Sequence, residues 1–170
     1  MTRVAADPTK ETVAAGELRN AARAKRRSLG GGSAIRILLV DDHPLVREGL
    51  KRTLVSMVGV IVVGEAASGE EAVVRARDLE PDLVIMDLSL PRMSGIEASR
   101  LIKAQCPQTR ILALTMHGDE AYVRNALEAG ASGYVVKDAR PSELVEAIEA
   151  VHRGEQYIMV GGPAPYGPRK

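Results

Sequence analysis

The stretch DLVIMD, residues 82–87, decides the fold of this chain. Its four central residues form an unbroken apolar run, which is typical of a strand buried on both faces of a parallel sheet. Asp87 follows directly, where the chain would leave the carboxyl edge of that sheet. Because ligands of open α/β sheets bind outside the carboxyl ends of the strands, Asp87 is a candidate for chemistry. A role in packing alone would not need its charge.

Segments of the same kind lie on both sides of this stretch, with helical periodicity between them. Apolar and β-branched runs predict five strands, at 35–40, 60–63, 83–86, 110–115 and 133–136. Apolar residues at helical spacing, with capping and turn residues at their ends, predict five helices, at about 44–57, 69–80, 96–105, 119–129 and 141–151. This alternation indicates the α/β class, with a doubly wound parallel sheet and helices on both of its faces.

The two ends of the chain differ in composition from the middle. Residues 1–34 carry seven Lys/Arg and three Asp/Glu and end in a Gly-rich run, which predicts a flexible basic arm. Docking of this arm on an acidic partner or nucleic acid is the alternative to an unstructured leader. Residues 155–170 are rich in Gly and Pro, and we expect that this tail does not pack as an element of the fold. The folded domain is therefore predicted at 35–154.

The overall composition excludes several classes of protein. The 170 residues have a net charge of +1, which favours neither nucleic acid nor an acidic substrate as a partner of the whole chain. Cys106 is the only cysteine, so no intrachain disulfide can form, which fits a cytoplasmic protein. No apolar run approaches the roughly 18–20 residues of a membrane span, so we expect no membrane association. Trp and Phe are absent, which removes the usual stacking platforms for single-stranded nucleic acid.

Polar side chains stand at the carboxyl ends of four of the five predicted strands. Asp41 and Asp42 follow the first strand, Asp87 follows the third, Thr115 ends the fourth and Lys137 follows the fifth. Since the carboxyl ends of parallel strands meet at one edge of the sheet, we expect these five groups to converge. Each aspartate taken alone is equally well explained as a turn or cap residue, but the combination is not.

The expected cluster has the composition of a site for a phosphoryl group. Carboxylates that converge repel one another, and a hard divalent cation such as Mg²⁺ relieves this repulsion by taking oxygen ligands. Lys137 offers a positive charge to a carboxylate or a phosphate, and Thr115 offers a hydroxyl donor. Asp87 could itself attack phosphorus and form an aspartyl phosphate, because carboxylates serve as covalent phosphoryl acceptors.

These motifs give the chain a family resemblance. Residues 35–154 resemble the receiver domain of bacterial two-component response regulators, and in detail the NarL/FixJ-like subfamily. The matching stretches are ILLVDDHP at 37–44, DLVIMDLSLPRMSG at 82–95, LT at 114–115 and GYVVKD at 133–138. The resemblance implies a flavodoxin-like fold, a doubly wound five-stranded parallel sheet of the (βα)5 type with the strand order 2-1-3-4-5.

The resemblance also implies roles for the site residues. A sensor histidine kinase would donate its phosphoryl group to Asp87. The ligands of a bound Mg²⁺ would be Asp42, Asp87 and the backbone carbonyl of Ser89, with Asp41 contributing directly or through water. Lys137 would pair with the phosphoryl group. We therefore expect a phosphorylation-controlled switch that is not an enzyme beyond its own phosphorylation and dephosphorylation.

The switch implied by the resemblance involves two hydroxyl side chains, Thr115 and Tyr134. Thr115 would move toward the phosphoryl group and Tyr134 would turn inward behind it, although Tyr134 as a half-buried packing residue is the alternative. The movement would bias two arrangements of residues 116–134. A homodimer through the fourth helix, the fifth strand and the fifth helix is expected. Met116 stands where relatives often have a small residue, so we expect it to slow hydrolysis of the phosphoryl group.

The sequence indicates less about the output of the domain than about its phosphoryl site. Members of the subfamily usually continue into a DNA-binding helix-turn-helix domain, but only 16 residues follow Gly154 here. No DNA-binding domain is therefore expected in this chain, although it is expected to be part of, or derived from, a transcriptional regulator.

The alternative is a stand-alone Mg²⁺-dependent aspartyl-phosphate phosphatase with Asp87 as its nucleophile. Such enzymes need a second acid two residues further on, where this chain has Ser89. Flavin binding is a weaker third idea.

Overall fold

Strands and helices alternate along residues 34–161, the part of the chain that the computed structural model describes. The strands are β1 Ile35–Val40, β2 Val60–Ala66, β3 Leu83–Asp87, β4 Arg110–Thr115, β5 Gly133–Val136 and β6 Tyr157–Met159. The helices are α1 Pro44–Val55, α2 Gly69–Leu79, α3 Gly95–Gln105, α4 Glu120–Glu128 and α5 Pro141–Arg153. Apart from Ala34, the predicted arm lies outside the described residues, as does the part of the predicted tail after Gly161.

All six strands pair in parallel in one sheet, in the order β2-β1-β3-β4-β5-β6. The predicted α/β class and the order 2-1-3-4-5 are confirmed, with one strand added at the edge. All five residues of β3 are buried, as expected for a strand that consists of the apolar run 83–86 followed by Asp87. β2 continues to Ala66, beyond the predicted end at Val63, because Gly64 and Glu65 also pair with β1.

The sixth strand contradicts the prediction that the tail from Glu155 onward adds no element. α5 ends at Arg153, and its cap residue Gly154 has a left-handed φ of 94°. Tyr157–Met159 then pair in parallel with β5. Ile158 packs against the hydrophobic core on one face of the sheet, and Met159 belongs to the core on the other face. The Gly and Pro content of the whole tail obscures a short unbroken apolar run, YIMV, which is typical of a buried strand.

The added strand lies beside the predicted dimer surface, which stays a prediction. Because β6 pairs with β5 on its outer side, the fifth strand is not the edge of the sheet. The groove beside α4 is lined by Val123 and Leu127 from the helix and by Ile158 and Val160 from the β6 segment.

Hydrophobic cores fill both faces of the sheet. Leu83 and Ile85 of β3 pack with residues of α1 and α5 on one face. Val84 and Met86 pack with residues of α2, α3 and α4 on the other face. This alternation follows from the two-residue period of a strand. It also determines which of the site residues share a face at the carboxyl edge.

The starts of α2 and α3 agree with the capping residues in the sequence. Ser68 caps α2 by accepting a hydrogen bond from the N–H of Glu71 at 3.2 Å. Ser94 and Glu97 form a complete capping box at the start of α3. Helix ends lie within two residues of their predicted positions. Within residues 34–161, no helix is long and apolar enough to cross a membrane.

Candidate functional site

Three of the predicted site residues lie side by side at the carboxyl edge of the sheet. Lys137 Nζ lies 2.6 Å from Oδ2 of Asp41 and 2.9 Å from Oδ2 of Asp87. All three residues continue the alternation of their strands on the face that α1 and α5 cover, which explains why they meet. The two carboxylates are 1% exposed and the lysine side chain is 12% exposed, so the cluster is buried.

The positive charge of Lys137 is stabilised by the two carboxylates. Burial by itself lowers the pKa of Lys137, but hydrogen bonds to Asp41 and Asp87 and the charges of these groups raise the pKa above its ordinary value. Lys137 is therefore protonated at neutral pH. One ammonium group does not balance the formal charges of Asp41, Asp42 and Asp87, so the cluster has an excess of negative charge.

Asp42 and His43 complete the acidic cluster. One ligand atom from each of Asp41, Asp42, His43 and Asp87 lies within 4.8 Å of the others. Asp41 Oδ1 accepts a hydrogen bond from the N–H of His43 at 2.8 Å and lies 3.2 Å from His43 Nδ1. Nδ1 also lies 3.0 Å from Asp42 Oδ1, but without the angles of a hydrogen bond. Within residues 34–161, that buried oxygen of Asp42 has no hydrogen-bond partner.

This donor set fits a hard divalent cation. Mg²⁺ takes oxygen ligands and is commonly held by one or two carboxylates together with waters and phosphate oxygens. Burying a carboxylate oxygen without a partner costs free energy, and a cation beside Asp42 Oδ1 would remove that cost. The N–H of Ser89 donates to Oδ1 of Asp87 at 2.9 Å, which places Ser89 next to the cluster. The role of its carbonyl as a ligand stays a prediction.

Thr115 is the last residue of β4, Tyr134 is the second residue of β5 and pairs with Ala113, and both residues are completely buried. The Tyr134 hydroxyl donates to the carbonyl oxygen of His117 at 2.6 Å, and the N–H of His117 donates to Thr115 Oγ1 at 3.2 Å. Burial raises the pKa of Tyr134 to about 12, although a hydrogen bond with Thr115 opposes the shift. Tyr134 is therefore not a half-buried residue. Its movement in a switch stays a prediction.

The sequence motifs assign no role to two residues near the site. The ring of His117 stacks on Tyr122 of α4, with ring centroids 4.5 Å apart and an angle of 6° between the planes. Arg47 of α1 donates from Nη1 to the carbonyl oxygen of Asp41 at 2.5 Å and from Nε to Glu65 at 3.0 Å. Arg47 lies one helical turn beyond His43, and this spacing is the one signal that could have indicated it.

The chain matches the family model of the response regulator receiver domain over residues 37–149. It therefore belongs to this family and carries the receiver domain of a two-component response regulator. The resemblance inferred from its motifs is confirmed. Control by phosphorylation and the use of Mg²⁺ are typical of this family.

Proteins similar to this chain include the response regulators GacA of Pseudomonas viridiflava and UvrY of Escherichia coli strain K12. Each is 44% identical over 124 residues, a match that covers 73% of this chain. The match covers 58% of GacA and 57% of UvrY, so the chain spans somewhat more than half the length of these relatives.

Solved structures show the same similarity. A two-component response regulator of the LuxR family from Aurantimonas sp. SI85-9A1 matches with a TM-score of 0.72 and 50% identity, covering 75% of this chain and 91% of that one. The isolated REC domain of RcsB from Salmonella enterica serovar Typhimurium, in the presence of phosphomimetic BeF3−, matches with a TM-score of 0.69 and 28% identity. That match covers 75% of this chain and 94% of the RcsB domain.

Proposed function

We propose that Asp87 accepts a phosphoryl group from a sensor histidine kinase and that the fold signals its presence. The observation that carries this proposal is the position of Lys137, whose Nζ lies 2.9 Å from Oδ2 of Asp87. A fixed ammonium group stabilises the negative charge that accumulates on phosphoryl oxygens beside it. Asp41, 2.6 Å from the same Nζ, holds the ammonium group in place.

The residues that would hold Mg²⁺ are Asp41, Asp42 and Asp87, with the backbone carbonyl of Ser89. When bound, the ion supplies further neutralisation of the phosphoryl oxygens. The chain itself orients the acceptor, because the Ser89 N–H donates to Oδ1 of Asp87 and Lys137 donates to Oδ2, each at 2.9 Å. One of these oxygens forms the bond to phosphorus, and the bond from phosphorus to the imidazole nitrogen of the kinase breaks.

The proposed switch changes a hydrogen-bonded chain of three residues. Thr115 Oγ1 accepts from the N–H of His117, and the carbonyl of His117 accepts from Tyr134. When Thr115 turns toward a phosphoryl group on Asp87, it gives up the bond to His117, and the start of the β4–α4 loop is free to move. Tyr134 already points inward, so it stabilises the new loop position rather than starting the change.

We propose that the protein is a switch in the cytoplasm and that it is not an enzyme acting on other substrates. A phosphatase with Asp87 as its nucleophile gains no support, since Ser89 stands where the general acid would be needed. One matched structure is that of a LuxR-family regulator. We therefore propose control of transcription, through a longer regulator or a protein partner, and a phosphorylation-dependent homodimer through the face of α4, β5 and α5, where β6 lies on the outer side of β5.

Incubation with Mg²⁺ and acetyl phosphate, followed by measurement of the intact mass, tests the acceptor. The wild-type protein should gain one phosphoryl mass and Asp87→Asn should gain none. Asp78→Asn is the matched control, because the Asp78 side chain on α2 is 57% exposed and away from the sheet edge. An Asp87→Asn protein that is phosphorylated like the wild type would contradict the proposal. Gel filtration of both forms tests the dimer.

A further inference from the structure

Two helices of the domain begin with the same short pattern. α2 begins with SGEE at 68–71 and α3 with SGIE at 94–97. In both, the serine hydroxyl accepts a hydrogen bond from the N–H of the glutamate three residues on, at 3.2 Å. Capping explains the serine and the glutamate. It does not explain the glycine in the second position.

Gly95 lies directly against the end of β3. A Cβ at this position would overlap the carbonyl oxygen of Asp87 and would lie 2.7 Å from Cα of Leu88. The N–H of Gly95 donates to the carbonyl oxygen of Leu88 at 3.1 Å. The start of α3 can therefore pack on the backbone of Asp87 only because this residue has no side chain.

Gly69, the first residue of α2, makes a similarly close contact with the loop between β3 and α3, residues 88–94. It contacts this loop near its α3 end. It is buried, and a Cβ there would lie 2.7 Å from the carbonyl oxygen of Met93 and 2.9 Å from Met93 Cγ. Real side chains do not approach a backbone oxygen this closely, so the loop would have to move. The start of α2 is thus seated on this loop, although α2 contributes no residue to the acidic cluster.

An ion pair joins the same two segments. Arg92, in the middle of the loop, has a left-handed φ of 62°, which only a few per cent of residues other than glycine adopt. Its Nε lies 3.4 Å from Oε1 of Glu70, the residue that follows Gly69. The arginine side chain is 74% exposed, so this pair is weak, and the packing of Gly69 is the stronger of the two contacts.

We infer that Gly69 is a positioning residue for the loop that carries the phosphoryl acceptor and the predicted metal ligand Ser89. This inference rests on the proposed function. Ser89 lies in the loop between the two glycine contacts, and its N–H holds Oδ1 of Asp87 at 2.9 Å. A displacement of Met93 passes along the loop to Ser89, because Gly95 fixes the other end. Partners that orient metal ligands from outside the site typically change metal affinity by about 10-fold or more.

The test compares Gly69→Ala with Gly49→Ala, a glycine in α1 that has no atom within 4 Å of an added Cβ. The rate of amide hydrogen exchange in residues 88–94, measured without metal, reports how firmly the loop is held in place. Calorimetric titration with Mg²⁺ reports affinity, and the rate of phosphorylation by acetyl phosphate is measured over a range of Mg²⁺ concentrations. We expect Gly69→Ala to exchange faster in the loop, bind Mg²⁺ about 10-fold more weakly, and regain most of the wild-type rate at saturating Mg²⁺. Gly49→Ala should match the wild type in all three.

A Gly69→Ala protein with a lower melting temperature but wild-type loop exchange and Mg²⁺ affinity would overturn the inference, because a purely structural role predicts that result. If Gly69→Ala does not fold, Met93→Ala removes the side-chain part of the same contact. It should change loop exchange and Mg²⁺ affinity in the same direction by a smaller factor, and wild-type values would again overturn the inference. A wild-type protein that takes no phosphoryl group would refute the proposed function alone, since loop exchange is measured independently of it.

Discussion

Lys137 and Asp87 are 50 residues apart in the sequence, yet Lys137 Nζ lies 2.9 Å from Asp87 Oδ2. The sheet makes this contact, because the two residues stand at the carboxyl ends of β3 and β5, on either side of β4. Asp41 accepts from the same ammonium group at 2.6 Å. The stability of the folded domain and the proposed chemistry of Asp87 therefore depend on one shared cation.

Replacing Lys137 with methionine removes this cation and keeps most of the side-chain volume. We expect Lys137→Met to lower the free energy of unfolding by about 3 kcal/mol in the absence of Mg²⁺, because two buried carboxylates lose their common partner. Urea denaturation followed by circular dichroism measures the change. Lys51→Met is the control, since Lys51 pairs with Glu48 and Glu65 at the surface, where ion pairs contribute little. An equal loss in free energy of unfolding in the two variants would show that the buried contact of Lys137 contributes no more to stability than a surface ion pair.

Replacing Asp42 with asparagine separates stability from metal binding. Without Mg²⁺, Asp42→Asn should be at least as stable as the wild type, because it removes one of three carboxylates that repel each other. With saturating Mg²⁺, the wild type should gain in melting temperature and Asp42→Asn should lose most of that gain. Thermal unfolding with and without Mg²⁺ measures both effects. Asp78→Asn should keep the full response, and an undiminished response in Asp42→Asn would remove Asp42 from the set of ligands.

The raised pKa of Tyr134 predicts a loss of stability at high pH. The pKa is about 12 in the folded protein, against an ordinary value of 10. The neutral hydroxyl is therefore favoured by folding, so its contribution is complete below pH 10 and is lost as the pH rises through about 12. At about 1.4 kcal/mol per pKa unit, the free energy of unfolding should fall by up to about 3 kcal/mol across this range.

Tyr134→Phe isolates this effect. The variant should lose about 1 kcal/mol at neutral pH, since the carbonyl of His117 loses a buried donor. It should then show a smaller decline between pH 10 and pH 12 than the wild type shows. Urea denaturation over this pH range, together with the absorbance of ionised tyrosine, measures both. Parallel declines in the two proteins would mean that Tyr134 does not set the alkaline limit.

Met116 is predicted to slow the loss of the phosphoryl group. Its side chain is 70% exposed and lines the same groove as Lys137. A smaller residue should open the approach of water to phosphorylated Asp87, so Met116→Ala should shorten the half-life of the phosphorylated protein by a few-fold. The decay of the phosphoryl mass after removal of the donor measures it. An unchanged half-life would exclude Met116 as a barrier to hydrolysis.

Most of the acidic site could be predicted because it depends on strand ends. Asp41, Asp87 and Lys137 each follow an apolar run that marks a buried strand, and the parallel sheet brings such ends together without knowledge of the side chains. Thr115 also ends an apolar run, so its position at this edge is predicted in the same way. Strand alternation then accounts for the face on which each of them lies.

The parts that could not be predicted depend on contacts between distant segments. The sequence does not predict β6, because a three-residue strand is stable only when β5 offers an edge and the surrounding Gly and Pro residues favour a loop. The stacking of His117 on Tyr122 depends on the direction in which the chain enters α4. The contact of Gly69 with Met93 leaves no periodic signal, since a glycine beside a helix cap is already explained locally.

Identification of the phosphorylated residue tests the central claim most directly. After incubation with acetyl phosphate and Mg²⁺, reduction with borohydride converts an aspartyl phosphate to homoserine, and peptide mass spectrometry then locates the converted residue. The account predicts conversion at Asp87 and at no other residue of the cluster. Conversion at Asp41 or Asp42, or a phosphoryl group found on His43 with Asp87 unmodified, would contradict it.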